Sequence, residues 1–328
     1  MCLKAVPVLL WAAVFLAGCE NVQSALGPAG REAERIADLF WWMAGGAMVV
    51  WLAVLALTVY CFRRRAETWT RRASAMLIVG GGVVFPTVVL TVLLVFGLAM
   101  LPPLVARAPA GSLQIRVVGE QWWWRVQYLP SGRPPIDLAN EIRLPVHQPV
   151  QLRLESDNVI HSFWIPPLGG KMDMIPGRVT WLALEPTRTG VFRGACAEYC
   201  GASHALMGFH VEVMEPAAFQ RWLDVQAAPA AAPSTQQAAR GQEVFFATGC
   251  SACHTVSGTP ASGTVGPDLT HVGSRATLAG AMLPNDRVSL QRWIARTADI
   301  KPGVHMPRFG MLPRDDLDAL AAYLRGLQ

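Results

Sequence analysis

Charged side chains are scarce in this 328-residue chain, at 16% of the residues, whereas hydrophobic residues make up 52%. The sequence has no Ser/His/Asp arrangement, no paired carboxylates and no glycine-rich phosphate loop. Its net charge is +5, but the basic residues are not gathered into an aromatic-interleaved patch, so nucleic-acid binding has little support. These absences argue against a catalytic site within this chain. Its length allows two or three domains, and the apolar content predicts that part of the chain lies in a membrane.

Two long apolar runs predict membrane-spanning helices. Residues 39–62 and 73–101 are each long enough for the roughly 20 residues that a bilayer requires. The basic loop between them, residues 63–72, carries five arginines, which predicts a cytoplasmic loop with both chain ends outside. Gly80-Gly81-Gly82 in the second run would weaken an isolated helix, so packing against a larger membrane partner is implied.

The N-terminal residues 1–18 combine a lone Lys4 with an apolar run and small residues before Cys19, a pattern typical of a secretory signal peptide. The ending Leu16-Ala17-Gly18-Cys19 also resembles a bacterial lipoprotein signal, in which Cys19 becomes the lipidated first residue. The alternative is an ordinary signal peptide, or a first membrane helix, with an incidental cysteine. Residues 19–38 would then form a segment ahead of the first span.

A short loop from Gly194 to Met207 holds two thiols, a carboxylate, an imidazole and a thioether. Sulfur and imidazole donors together favour copper over calcium or magnesium. Two thiolates four positions apart could bridge two copper ions. The predicted ligands are His161, Cys196, the Glu198 backbone carbonyl, Cys200, His204 and Met207. A disulfide between the cysteines and a tetrahedral zinc site are the alternatives, but neither explains Met207.

The pattern Cys196-x-Glu198-x-Cys200-x-x-x-His204-x-x-Met207, with Val159-Ile160-His161-Ser162-Phe163-Trp164 upstream, resembles the dinuclear copper-A motif of cytochrome c oxidase subunit II. The resemblance implies an all-β, cupredoxin-like Greek-key domain over residues 112–215. Alternating apolar residues and Pro/Gly-rich turns in this region independently predict an antiparallel sandwich or barrel.

Two further roles follow from the resemblance alone. Trp122, the first of three consecutive tryptophans, would be the residue through which electrons enter, and the Glu198 side chain would join a magnesium site at the boundary with subunit I. Ordinary sandwich packing and a solvated loop carboxylate are the respective alternatives. Many subunit II sequences carry a glutamate near the start of the second membrane helix, linked to proton uptake. No glutamate lies between Ser74 and Pro103, so that role is not transferred.

A second soluble domain is predicted after residues 216–238, which combine a short helix with an Ala/Pro-rich linker. Within residues 239–328, Cys250-Ser251-Ala252-Cys253-His254 is the C-x-x-C-H pattern of covalent c-type haem attachment. The two thiols would form the thioether bonds, and His254 would be the proximal iron ligand. The segment around Met306-Pro307 resembles the Met-Pro loop of class I cytochromes c, which implies an all-α fold.

Met306 is the predicted sixth iron ligand, in competition with Met282, Met311 and the adjacent His305. Methionine opposite histidine raises the reduction potential of a haem. Such a potential suits an electron carrier near the oxygen end of a respiratory chain.

Together these features resemble subunit II of a cytochrome-c-fused (caa-type) haem-copper oxidase, with a two-helix transmembrane hairpin. The resemblance implies a bacterial inner-membrane location, both redox domains on the periplasmic side, and association with subunit I and subunit III. An external donor, such as a cytochrome c or an upstream respiratory complex, would reduce haem c, which would reduce copper A. Electrons would then pass to subunit I, where oxygen is reduced to water with proton pumping.

Two other functions stay open on the sequence. A copper-A nitric oxide reductase would share both redox sites, and a membrane-tethered copper or electron carrier would lack a catalytic partner. A copper-A nitrous oxide reductase is disfavoured because no segment could supply its large propeller domain.

Overall fold

The computed structural model describes residues 21–63 and 70–328. The predicted signal peptide (1–18), the predicted lipidation site Cys19 and residues 64–69 of the basic loop lie outside these ranges. The described residues divide into two compact units, one made of residues 35–106 and one of the residues before 35 together with 107–328.

Two helices are long and apolar enough to cross a membrane by length and composition. Helix α1 spans Arg31–Arg63 and begins eight residues before the predicted apolar run. Its first turn carries Glu32 and Glu34, whose negative charges interact favourably with the positive end of the helix dipole. The helix therefore begins in polar residues, which a search for apolar runs does not detect.

The second apolar run changes helix type along its length. Helix α2 (Arg71–Met76) leads into a π-helical stretch (Leu77–Val84) and then into helix α3 (Phe85–Val105). The π-helical stretch contains the three consecutive glycines, whose missing side chains ease the wider backbone path. The glycines are thus accommodated without ending the helix.

The larger unit begins with a sandwich of ten strands. In chain order they are β1 (Leu113–Glu120), β2 (Trp123–Leu129), β3 (Ile136–Ala139), β4 (Glu141–Pro145), β5 (Val150–Ser156), β6 (His161–Trp164), β7 (Met172–Met174), β8 (Thr180–Leu184), β9 (Gly190–Cys196) and β10 (Gly208–Met214). One sheet has the order β3-β2-β1-β5-β8 and the other β4-β10-β9-β6-β7. Their inner faces bury one core that includes Trp124, Phe163 and Phe209.

The alternating pattern predicts an antiparallel sandwich, but the observed sandwich also contains parallel strand pairs. Strand β1 pairs in parallel with β5, and β4 pairs in parallel with β10. Both pairs join strands that are distant in the chain, which is how long Greek-key connections bring together strands of the same direction. Alternation identifies strands but carries no information about such non-local neighbours.

A small helical domain completes the larger unit. Helix α4 (Pro216–Gln226) packs on the sandwich through Phe219 and Leu223. Helices α5 (Gln236–Ala247), α6 (Arg287–Ala295), α7 (Thr297–Ile300) and α8 (Arg314–Gly326) follow, with a two-stranded ribbon of β11 (Thr277–Leu278) and β12 (Leu283–Pro284). A second core contains Phe245, Leu320 and Tyr323.

The segment between α4 and α5 is attached to the helical domain. The Ala230 amide donates to Ser257 O at 2.9 Å, and His271 Nε2 lies 2.9 Å from Ala228 O. The Ala/Pro-rich segment therefore follows a defined path, although it forms neither helix nor strand.

Candidate metal centre

Two parts of one sheet deliver the predicted copper ligands to one place. His161 begins β6, Cys196 ends β9, and the loop after β9 runs to Met207, immediately before β10. Strand β9 lies between β6 and β10 in the sheet, so the ends of these strands bring the loop and the upstream histidine together.

Cys196 has three of the other predicted donors within 4 Å. Its Sγ lies 3.9 Å from Cys200 Sγ, 3.7 Å from His161 Nδ1 and 3.2 Å from Glu198 O. Both thiols are free, and their separation is well beyond the bonded sulfur distance of about 2.05 Å. The disulfide alternative is therefore not the arrangement adopted.

Cys200 completes the group from the other side. Its Sγ lies 3.5 Å from His204 Nδ1 and 3.8 Å from Met207 Sδ. An open pocket of about 280 Å³ reaches Cys196, His204 and Met207. Soft sulfur donors and imidazoles in this arrangement fit copper, and the pocket gives an ion a route to them.

The two thiols have opposite ionisation tendencies. A hydrogen bond with Cys200 lowers the pKa of Cys196. The same hydrogen bond, followed by burial and the charge of Cys196, raises the pKa of Cys200. Two thiolates this close repel each other in a partly desolvated site. A cation is needed to hold both in the charged form, which is what a bound metal supplies.

Asn158 orients the buried His161 ring, a role that the ligand motif does not reveal. Its Oδ1 accepts from the Val159 amide at 2.8 Å and lies 3.2 Å from His161 Nε2. An acceptor at that position places the ring proton on Nε2, so the Nδ1 lone pair faces Cys196. Outer hydrogen bonds of this kind orient metal ligands and raise their basicity.

The three consecutive tryptophans have different surroundings. Trp124 is fully buried against Phe163 and Phe209, whereas Trp123 is half-buried beneath the Arg125 guanidinium at 4.8 Å. Trp122 is 7% exposed, and its Nε1 donates to Cys200 O at 2.9 Å. Trp122 is therefore hydrogen-bonded directly to a predicted copper ligand.

The predicted haem-attachment motif lies at the start of the helical domain. Cys250 begins a single short turn and Cys253 follows it, both as free thiols. The buried His254 has Nδ1 at 2.7 Å from Pro267 O, so this nitrogen carries the proton and Nε2 is left for iron. Burial lowers the pKa of His254, which keeps the ring neutral as an iron ligand must be. These residues fit a covalently attached haem.

The candidates for the sixth iron ligand differ in burial. Met306 packs against the core of the helical domain, and Thr297 Oγ1 donates to its carbonyl at 3.1 Å. Met311 is 77% exposed, and His305 is also exposed. Met282 is half-buried in the loop between the two ribbon strands. Burial thus favours Met306 over Met311 and His305.

The helical domain packs directly on the sandwich beside the predicted copper loop. A Cβ at Gly303 would lie 2.6 Å from Trp122 Cη2, so the backbone before Met306 touches the indole. Ser203 Oγ donates to Pro302 O at 2.6 Å, and the Ala276 amide donates to Glu141 Oε2 at 2.8 Å. Neither linear motif contains this contact between the two predicted sites.

Comparison with protein families gives two matches, each to a different part of the chain. Residues 131–214 match the family described as "Cytochrome C oxidase subunit II, periplasmic domain", and residues 238–328 match "Cytochrome c". Together with the two apolar helices of the structure, these matches confirm the predicted fold class, which combines the helices with a cupredoxin-like sandwich and a helical cytochrome c domain. They also imply a copper centre and a haem c.

Curated relatives bear the name "Cytochrome c oxidase subunit 2". One from Alkalihalophilus pseudofirmus is 37% identical over 217 residues, covering 66% of this chain and 62% of the relative. One from Bacillus sp. strain PS3 is 33% identical over 227 residues, covering 66% and 63%. The chain thus spans somewhat less than two thirds of the length of these relatives. A solved periplasmic domain of oxidase subunit II from Bradyrhizobium japonicum is 32% identical, with a TM-score of 0.34, covering 37% of this chain and 96% of that one.

Proposed function

Because residues 131–214 belong to the family of cytochrome c oxidase subunit II periplasmic domains and residues 238–328 to the cytochrome c family, we propose that the chain is the electron-input subunit of a terminal haem-copper oxidase. An external donor, such as a cytochrome c or an upstream respiratory complex, delivers electrons to the haem domain. They leave through the copper domain to subunit I, where oxygen is reduced to water with proton pumping.

The observation that best supports this proposal is the contact between the two predicted redox sites. The Trp122 ring touches the Gly303 backbone on one side, while its Nε1 is hydrogen-bonded to Cys200 O on the other. Haem and copper, when bound, each accept and release one electron at a time. The chain's own residues hold the sites in fixed relation and exclude water from the tryptophan between them.

We propose that the thiols of Cys196 and Cys200 would hold a dinuclear copper centre. The other donors would be His161, His204, Met207 and the Glu198 carbonyl. The Glu198 side chain is half-buried and is proposed to help bind magnesium at the boundary with subunit I. In the haem domain, Cys250 and Cys253 would attach the haem, and His254 and Met306 would bind its iron.

The proposed topology follows from the basic loop and the two apolar helices. With residues 63–72 in the cytoplasm, both redox domains lie on the periplasmic side of the inner membrane, and Cys19 is the lipidated N-terminus. Subunit I, together with subunit III, covers the hairpin in the membrane.

Metal and haem analysis of the purified complex tests this assignment, with two coppers and one haem c expected per copy of this chain. Oxygen uptake by the same preparation is the matching activity. Nitric oxide consumption without oxygen uptake would identify a nitric oxide reductase instead. Isolation of the chain alone, without a large multi-span subunit, would identify a tethered carrier.

A further inference from the structure

A short turn of the haem domain presses on the copper loop close to Met207. Ala279, Gly280 and Ala281 have φ angles of 56°, 79° and 62°, three consecutive residues in the left-handed region. A Cβ at Gly280 would lie 3.1 Å from Gly208 O and 3.3 Å from Leu206 O. The backbones of the two domains therefore meet without intervening side chains.

This left-handed turn, residues 279–281, needs support from its surroundings. Non-glycine residues in the left-handed region are unfavourable and persist where neighbouring structure holds them. Lys301 provides such support, because its Nζ donates to Ala279 O at 3.0 Å. The same ammonium would lie 2.9 Å from a Cβ at Gly280, so it fills the space behind the turn.

Lys301 is an unusual residue for this position. It is 2% exposed, and no carboxylate in residues 21–63 or 70–328 forms an ion pair with it. A buried ammonium is unfavourable unless it is hydrogen-bonded or meets negative charge. Burial lowers the pKa of Lys301 to about 8, and the hydrogen bond to Ala279 O satisfies the ammonium in this buried position.

The residues after Lys301 continue the same contact. Pro302 O accepts from Ser203 Oγ, Gly303 covers Trp122, and Val304 packs against the core of the copper domain. The lysine therefore lies where the segment leading to Met306 first meets the copper loop. A displacement of Lys301 would move the contact with Trp122 as well.

We propose that Lys301 is the positioning residue of the interface between the haem and copper domains. It holds the left-handed turn against the copper loop and places a positive charge of the haem domain beside that loop. The inference rests on the proposed relay from haem to copper. It adds that docking and the copper potential are set by one side chain of the haem domain.

Three variants of the full complex separate the two roles. Lys301→Met keeps the length of the side chain but removes both the charge and the hydrogen bond. Lys301→Gln removes the charge and retains an N–H donor. Arg240→Met removes a positive charge from an exposed position of the same domain, where Arg240 pairs with Glu243 and Asp316. Copper and haem contents and the haem c spectrum establish that each variant is assembled.

Lys301→Met is expected to slow copper reduction by haem c about tenfold, because hydrogen bonds from charged donors are among the stronger ones. Both Lys301 variants are expected to lower the copper reduction potential, since nearby positive charge favours the reduced centre. Arg240→Met is expected to change neither quantity.

Assembled Lys301 variants that keep the wild-type rate and the wild-type copper potential would overturn the inference. Should Lys301→Met fail to assemble, the copper potential of Lys301→Gln decides alone. Wild-type complex in which haem c does not reduce copper at all would instead overturn the proposed relay, so the two failures are distinguishable.

Discussion

Replacing Trp122 by phenylalanine tests the contact between the two redox sites most directly. The substitution removes the Nε1 hydrogen bond to Cys200 O, but Gln121 Nε2 donates to the same oxygen at 2.7 Å. The acceptor therefore stays satisfied, and losing the bond costs about 1 kcal/mol. The space left by the missing part of the ring costs about another 1 kcal/mol. We expect the copper domain to be destabilised by about 2 kcal/mol and to stay folded.

The effect on electron transfer should be much larger than the effect on stability. The atoms of Trp122 that approach Gly303 belong to the outer, six-membered ring of the indole, and phenylalanine does not extend to this position. Small displacements of reacting groups can cost on the order of 100-fold in rate. We therefore expect haem-to-copper transfer in Trp122→Phe to be slower by about that factor.

Trp123→Phe is the matched control for this variant. Trp123 is half-buried and lies beneath Arg125 at 4.8 Å. Phenylalanine retains a ring at this position, so the replacement costs less than about 1 kcal/mol of cation–π attraction and contacts neither redox site. Stopped-flow reduction of haem c, followed by the copper absorption, measures the transfer. A Trp122→Phe complex with full copper and haem that transfers at the wild-type rate would refute the reasoning.

Other regions of the chain give independent predictions. Gly266→Ala should lose most of its covalent haem, as measured by haem staining, because the new Cβ would lie 2.5 Å from the histidine ring of the haem motif. Gly326→Ala is the control, since a Cβ there has open space and the haem should be retained. Equal haem staining of the two variants would contradict this prediction. Asn158→Ala should weaken copper binding about 10- to 100-fold, measured by competition with a chelator. Asn158→Asp keeps the hydrogen-bond acceptor and should bind copper with normal affinity. Unchanged copper affinity in Asn158→Ala would show that Asn158 does not orient the His161 ring. The Glu155 pKa is lowered mainly by its hydrogen bond from Arg116, so the stabilisation is present above the unfolded pKa of about 4.3 and is lost as pH falls through the folded pKa. Since both groups are partly exposed and Glu155 also pairs with Arg153, Arg116→Gln should reduce that acid-dependent part of the unfolding free energy by less than ~1 kcal/mol. A loss of stability confined to alkaline pH would disprove the sign.

The copper and haem ligands can be predicted from sequence because most of them lie close together in the chain. Five of the six copper donors fall between Cys196 and Met207, and the haem motif is contiguous. Donor chemistry and spacing suffice for such sites. His161 is the exception, and its partner strand places it through the sheet order rather than through local sequence.

The supporting residues cannot be predicted in the same way. Gln121, Asn158 and Lys301 act through single hydrogen bonds whose partners are defined only after the chain folds. The parallel strand pairs have the same origin, since an alternating pattern specifies a strand but not its neighbour. The π-helical stretch likewise reflects backbone geometry that glycine permits and does not require.

The connection between the two soluble domains has a kinetic consequence. Only nine residues, 227–235, separate helix α4 from helix α5. A flexible chain of that length has a root-mean-square span of about 16 Å, so a haem domain that left the copper loop would stay close to it. Its effective concentration there would be in the millimolar range. In the proposed relay, reduction of copper from within the chain would then be a first-order process whose rate does not depend on the concentration of soluble donor.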